Sequence, residues 1–429
     1  MNRVCLCLPT NRACSAAIAA LHTEAAYATD RFGADVQLLI LDSSEARTRA
    51  EHARTVAALR PVPHVTVHHL DEYAQRIFLL RTIERAGLPD PDRLLHLMLP
   101  PAVSYGACTN RAFLLAAALG CASLHRRDSD STYQLHAGQL VFPVHHELPY
   151  LGRPATEAAG GVTRTDLTPE LLHRPVSLAG ASFIGELSVD IGEIRRLDED
   201  VYYDVVSLWA PADWPEDLKR DLVEESFTGA GTAPFTGDHS TLTLVDPMRV
   251  DMCNIAFDRT VYERIPLPPA TDTIGSDYFL LHLIHDARLP GILHNRHIAN
   301  FHTPERRTDT GFPAYQRRFV KFLLSMLYFH DVYDRMEAEG AGLLDERHRV
   351  RADRIVELLR ESKDLDRTEN IWRLDRVDMA YRKLGGRYAT FADRLAEERN
   401  RLLDEVEADI EDYAYLAQAW PALIEAART

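Results

Sequence analysis

Lysine is nearly missing from this sequence of 429 residues: Lys219, Lys321, Lys363 and Lys383 are the only ones, and every other basic side chain apart from histidine is arginine. That bias resembles the codon usage of a GC-rich genome, so an arginine here is not in itself a sign of phosphate binding. Positive charge is scarce as a whole, with 48 Lys and Arg against 64 Asp and Glu and a net charge of −16. A nucleic-acid backbone is bound by clustered cations that displace its counterions, which argues against that partner. Cysteines are few and scattered. Cys5, Cys7, Cys14, Cys108, Cys121 and Cys253 show no paired CxxC spacing and no disulfide framework, so they are expected to be reduced, with Cys5 and Cys7 on one face of a strand. No apolar run approaches the length that crosses a bilayer. Met1-Asn2-Arg3-Val4 leads straight into a strand-like segment instead of a signal peptide, so a cytoplasmic location without membrane insertion is expected. Internal repeats and low-complexity tracts are lacking too.

What is present is a folded-protein composition, 46% hydrophobic and 26% charged. The length calls for one large domain plus an appendage, or two domains. Val4 to Leu8 is an apolar run stopped by Pro9-Thr10-Asn11-Arg12, the pattern of a buried strand followed by a loop. A helix is predicted over 14–31, ended by Gly33, and a second strand over 36–41 runs into Asp42-Ser43-Ser44. Those serines can cap a helix over 45–59. A third strand at 65–67, helices over 72–86 and 105–119, and a strand that delivers Asp128 complete the first part. Strands alternating with helices predict an α/β fold, a mainly parallel sheet flanked by helices. Ligands of such sheets collect beyond the carboxyl ends of the strands, which places Pro9-Thr10, Asp42, Asp128 and Asp130 on one rim.

Residues 132–245 have a looser pattern, with a strand predicted at 181–184 and a strand-like alternation at Leu187, Val189 and Ile191; they read as an insertion that shapes an acceptor pocket. Residues 251–257 return to the core sheet, Gly275-Ser276-Asp277 opens a helix, and a last core strand ends at Ala299-Asn300-Phe301-His302-Thr303. From Gly311 onward, three or four charged helices are predicted, with breaks near 340–342 and 385–386. Phe319, Phe322, Leu323, Met326 and Leu327 recur at helical spacing and are expected to pack in a core, with Trp372 and Trp420. The domain plan is thus 1–308 for the α/β part and 309–429 for a helical region, which could also pair subunits into a homodimer.

The chemistry is expected at Asp128-Ser129-Asp130. Two acids one residue apart at a strand's end can share a hard divalent cation, Mg²⁺ or Mn²⁺, which prefers carboxylate and phosphate oxygens. Bridging a diphosphate, such a cation neutralises charge on the departing group. A solvated acidic turn is the bland alternative. Asp128-Ser129-Asp130-Ser131-Thr132 also spells the nucleophile motif of haloacid-dehalogenase-type phosphatases, but His125-Arg126-Arg127 and the mid-domain position speak against it. A nucleotidyltransferase would need a Gly-rich loop with a following lysine near the first strand, and none is found. His68-His69 and His145-His146 are expected to diverge as neighbours on strands, making poor metal sites. Asp238-His239, in a loop rich in Gly and Thr, could reach an acceptor.

Pro9-Thr10-Asn11-Arg12, then Asp42-Ser43-Ser44, then Asn110 through Gly120 leading into Asp128-Ser129-Asp130 resemble, in that order, the opening of family 2 glycosyltransferases of the GT-A fold. Gly275 to Leu280 resembles the acidic motif of their catalytic region, and His302 sits where several GT-A enzymes carry a metal-coordinating histidine. With its helical tail the chain also resembles the mannosylglycerate and glucosyl-phosphoglycerate synthases. The resemblance implies a GT-A enzyme using a nucleotide-diphosphate sugar and a divalent cation. It implies that Pro9, Thr10 and Arg12 flank the nucleotide, Asp42 accepts hydrogen bonds from base or ribose, and Asn110 and Arg111 support the nucleotide or diphosphate. Asp128 would contact ribose or metal, Asp130 would hold the metal, and His302 would complete its coordination. Asp277 would stand near the acceptor hydroxyl, as general base in an inverting enzyme or as an orienting group in a retaining one. A small soluble acceptor is expected, since no basic amphipathic face marks a lipid-facing enzyme. A GT-A-like binding module without catalysis is the remaining alternative. His125-Arg126-Arg127 departs from the apolar strand usual before the acidic pair.

Overall fold

The computed structural model describes residues 2–301, 308 and 310–429. The first apolar run forms β1 (Arg3–Thr10), and the next two form β2 (Asp35–Asp42) and β3 (Val65–Asp71). The strand before the acidic pair is β4 (Ser123–Arg127), followed by β5 (Ser131–Tyr133), the hairpin of β6 (Leu135–His136) and β7 (Gln139–Leu140), and β8 (Arg164–Thr165). Then come β9 (Leu178–Gly180), β10 (Phe183–Gly185), β11 (Ser240–Thr243), β12 (Asn254–Asp258), β13 (Gly291–His294) and β14 (Ile298–Asn300). Nine of them make one sheet in the order β3-β2-β1-β4-β12-β9-β13-β11-β8. The first four are parallel, with β12 antiparallel to both its neighbours.

This is the expected α/β class, a sheet flanked by helices with a helical carboxy-terminal extension. The helices Ser15–Phe32, Ala46–Ala58, Glu72–Ala86 and Tyr105–Ala118 lie within two residues of their predicted bounds at each end. Three expectations need correction. Residues 132–245 are more than an insertion, because they supply β8, β9 and β11 to the main sheet; strands of two to four residues are too short to show a period. Leu187 to Ile191 is not a strand: Val189 and Ile191 are buried along an irregular segment before the helix Gly192–Leu197, and burial on one side imitates alternation. The last predicted core strand belongs to a separate three-stranded sheet, β10-β14-β5, and β13 takes its place in the main one.

Alternation along β1 and β2 builds two cores. Val4, Leu6, Leu8, Leu38 and Ile40 face the helix Ser15–Phe32. Cys5, Cys7, Leu39, Leu41 and Leu124 face the other side, and that apolar core continues without interruption to Ala427. All six cysteines are free. Four helices carry the core through the carboxy-terminal region: Gly311–Glu339, Ala352–Ser362, Thr368–Leu384 and Gly386–Arg428. Trp420 is fully buried there and its indole N–H donates to the Tyr262 carbonyl at 2.9 Å, whereas Trp372 is 44% exposed and does not join the core. Among the described residues no helix is long and apolar enough to cross a membrane.

The helix Tyr105–Ala118 is fastened hard against the segment before the acidic turn. Ser104 caps it, its hydroxyl accepting from the Ala107 N–H and donating to the Pro269 carbonyl. A Cβ added at Gly106 would lie 1.8 Å from the Pro268 carbonyl oxygen. The Gly106→Ala variant is therefore expected to lose about 1–3 kcal/mol in urea denaturation, because backbone and not a yielding side chain must move. A change below about 0.5 kcal/mol would show the contact to be loose.

Candidate functional site

In the parallel register Cys7 of β1 lies beside Arg126 of β4, so the loops that follow leave the sheet together. Beyond them opens a cleft of about 430 Å³ lined by Pro9, Thr10, Arg12, Arg111, Asp128, Asp130 and Asp277, along with residues from the middle and carboxy-terminal segments. Seven of the sequence-predicted residues thus share one cavity. His302, the expected third metal ligand, lies outside the described residues.

The charged approach to the acidic pair has a structural cause. Successive residues of a strand point to opposite faces, so Arg126 turns to one side of the sheet while His125 and Arg127 turn to the other. Arg126, 2% exposed, pairs with Asp128 at 3.1 Å and donates to Asp277 at 2.6 Å, joining two acids that are distant in sequence. On the far face Arg127 is held by Glu24 (2.8 Å) and Glu147 (2.9 Å), both fully buried, and His125 pairs with Glu147 at 2.6 Å. Asp130 in turn receives Arg12 at 2.5 Å.

Asp251, a further acid of the cleft, accepts from the Tyr278 hydroxyl at 2.5 Å and from the Cys253 N–H at 2.9 Å. In the sequence it only opens the segment 251–257 that returns to the sheet, and a lone acid at a strand entrance carries no motif. Among the described residues lining the cleft, six acids (Glu72, Asp128, Asp130, Glu225, Asp251 and Asp277) face four arginines (Arg12, Arg111, Arg126 and Arg318). Burial pushes the Asp128 carboxyl up to about 6, opposed by Arg126 and reinforced by Asp130, Asp251 and Asp277. Excess negative charge in a sheltered cleft is what a divalent cation relieves, and a donor set made of carboxylate oxygens fits the hard cations Mg²⁺ and Mn²⁺.

Three predicted residues are placed otherwise. Asp42 has no exposed surface: its Oδ2 accepts from His52 Nδ1 (2.9 Å) and His69 Nε2 (2.8 Å), and its Oδ1 from the Ser44 N–H (2.9 Å). Burial alone would raise its carboxyl, but the hydrogen bonds from His69, Ser44 and His52 outweigh it and hold the group well below the ordinary carboxylate range. Its neighbours Leu41 and Ser43 reach the cleft instead. Asn110 is equally buried and clamps Leu267, donating to its carbonyl at 2.8 Å and accepting its N–H at 2.7 Å, so it orders the cleft's frame without entering it. Asp238 does not line the cleft; Arg296 grips both its oxygens, at 2.6 and 2.9 Å.

The histidine pairs behave differently from each other. His68 and His69 diverge as expected, to Gln37 and Asp42. His145 and His146 lie on the one-turn helix Val144–Glu147 and not on a strand, which lets both face Asp238, at 4.0 and 2.9 Å. Among the described residues, that trio and Asp42, His52 and His69 are the groups that bring three possible ligand atoms within 4.8 Å. In the first Arg296 already occupies the carboxylate, and in the second hydrogen bonds saturate it.

Fold and site together define an α/β protein with a carboxylate-rich cleft beyond the strand ends of a mixed sheet. The chain belongs to a family of unknown function, DUF6271, whose model matches residues 2–429. No curated protein matches the sequence. Among solved structures it is similar to the mannosyltransferase PcManGT from Pyrobaculum calidifontis in complex with GDP-Man and Mn²⁺, at 12% identity and a TM-score of 0.35, covering 97% of this chain and 86% of that one. It is also similar to mouse xyloside xylosyltransferase 1 in its apo form, at 12% identity and a TM-score of 0.23, over 67% of this chain and 77% of the other.

Proposed function

We propose that the protein is a divalent-cation-dependent glycosyltransferase moving a sugar from a nucleotide-diphosphate sugar to a small acceptor. The observation that carries this reading is the meeting of Asp128, Asp130 and Asp277 in one cleft at the strand ends, with Arg126 bridging the first and the last. Pro9, Thr10 and Arg12 flank the nucleotide, and Arg111 supports the diphosphate. Arg111 is set in place by donating to Gln75 (2.7 Å) and to the Met98 carbonyl (2.6 Å). Asp128 and Asp130 would hold Mn²⁺ or Mg²⁺, which when bound neutralises charge on the diphosphate. Asp277, fixed by Arg126, orients the acceptor hydroxyl or takes its proton.

A thermal-shift screen of nucleoside diphosphates, each with and without Mn²⁺ or Mg²⁺, tests the donor half directly. One nucleotide is expected to stabilise the protein only in the presence of metal, by about 2.7 kcal/mol at a hundredfold excess over its Kd. If no nucleotide shifts the melting temperature under any metal, the donor reading fails.

A further inference from the structure

The cleft has a second end that no expected site residue explains. Trp209, Phe227 and Phe322 line it, Trp209 stacking on Phe227 with ring centres 5.2 Å apart and meeting Phe322 edge-on at 5.5 Å. Phe227 keeps this position in a left-handed backbone conformation, φ +64°, which is unfavourable for a bulky side chain and needs tertiary contacts to hold it. The wall borders the acidic turn: Gly275 has φ +69°, and a Cβ there would lie 2.8 Å from the Phe322 ring, so only glycine lets that ring approach the turn carrying Asp277. On the same side His282 stacks flat on Tyr333, 3.8 Å between centres, and has no hydrogen-bond partner among the described residues. Burial pushes its imidazole down to about 3, so the ring is neutral at physiological pH.

Few polar side chains accompany these rings, and Arg318 Nε and the His282 imidazole carry no hydrogen bond among the described residues. The Ser325 hydroxyl donates to the Phe322 carbonyl at 2.7 Å, and Arg318 faces Asp272 at 3.8 Å. The faces of Trp209, Phe227 and Phe322 offer no donor or acceptor to the hydroxyls of a sugar. A flat apolar ring would cover those faces, in the offset and edge-on contacts that aromatic groups prefer.

We infer that the acceptor is a hydroxylated aromatic compound, its ring seated against Trp209, Phe227 and Phe322 and its hydroxyl directed to Asp277. The inference rests on the transferase reading above. In the transfer the acceptor oxygen bonds the anomeric carbon while the bond from that carbon to the diphosphate breaks. The electron pair leaves with the nucleoside diphosphate, and the hydroxyl proton passes to a cleft carboxylate or to the departing diphosphate.

Calorimetric titration of the full chain with 2-naphthol, and separately with methyl glucoside, is the test, run beside the nucleotide screen. Binding of 2-naphthol and not of methyl glucoside is expected, weakened about tenfold or more in Phe322→Ser. Because Phe322 is buried, Met248→Lys, at a half-exposed position lining the same cleft, supplies a second variant with the same expected loss. Both are read only where the circular-dichroism melt matches wild type. If a nucleotide stabilises the protein but methyl glucoside binds in place of 2-naphthol, the aromatic acceptor is overturned while the transferase reading stands. Binding of 2-naphthol with no nucleotide shift overturns the transferase reading and with it the acceptor role. Unweakened binding of 2-naphthol in both variants places it elsewhere and overturns the inference.

Discussion

Asp130→Ala is expected to abolish metal-dependent hydrolysis of, or transfer from, the nucleotide-sugar donor, a loss of at least about a hundredfold, and to remove the metal-dependent part of the nucleotide thermal shift. Asp130 is held by Arg12, an arginine with partial exposure, whereas the Arg126 that engages Asp128 and Asp277 is buried and cannot withdraw. The cost to folding is small by comparison. Its partner Arg12 retains 24% side-chain exposure and can turn to solvent, so the cost is expected to stay below the roughly 3–5 kcal/mol of breaking a fully buried pair. Activity and stability therefore separate, and a variant that melts like wild type yet keeps full metal-dependent turnover would rule out the cation site at Asp128 and Asp130.

The largest effect on stability is expected on the opposite face of β4. Arg127→Met leaves Glu24 and Glu147 buried without their guanidinium and is expected to cost about 3–5 kcal/mol at pH 7.5, measured by urea denaturation. The sign of its pH dependence follows from Glu147. Burial would raise that carboxyl, but Arg127 and then His125 outweigh burial and hold it below the ordinary range. In the wild type its contribution is complete above about pH 4.5 and is lost as the pH falls through the depressed pKa. Without Arg127 burial dominates, so relative to the wild type the variant should gain stability between pH 7.5 and 5. A loss under about 1 kcal/mol, or a variant that weakens more steeply than the wild type on mild acidification, would mean that the network is better hydrated than its burial indicates.

The failed expectations share a form. Asp42 ends β2, as the apolar run before it requires. Its partners His52 and His69 come from the next helix and the next strand, and nothing local announces that both turn inward upon it. Asn110 likewise stands on the expected helix, but its amide meets the backbone of Leu267 across the fold. His145 and His146 converge because a single helical turn replaced the expected strand. Conversely, Arg126 and Arg127 looked like a flaw in the strand. Alternation already required them to part to opposite faces, yet only their distant acids give that division a meaning.

What the sequence alone determined is whatever depends on near neighbours along the chain: the first strands and the helices between them, the parallel order they imply, and the acidic pair at the end of β4. Hydrophobic period and capping act over a few residues, so a linear reading captures them. Tertiary structure decided which charges neutralise each other and which surfaces enclose the cleft. Arg126 meets Asp277, Arg127 meets Glu24 and Glu147, and Phe322 comes to lie against Gly275 through contacts between segments far apart in the chain. Ion pairing and packing are settled by distance in space, and that distance exists only once the sheet and the carboxy-terminal helices have closed on one core.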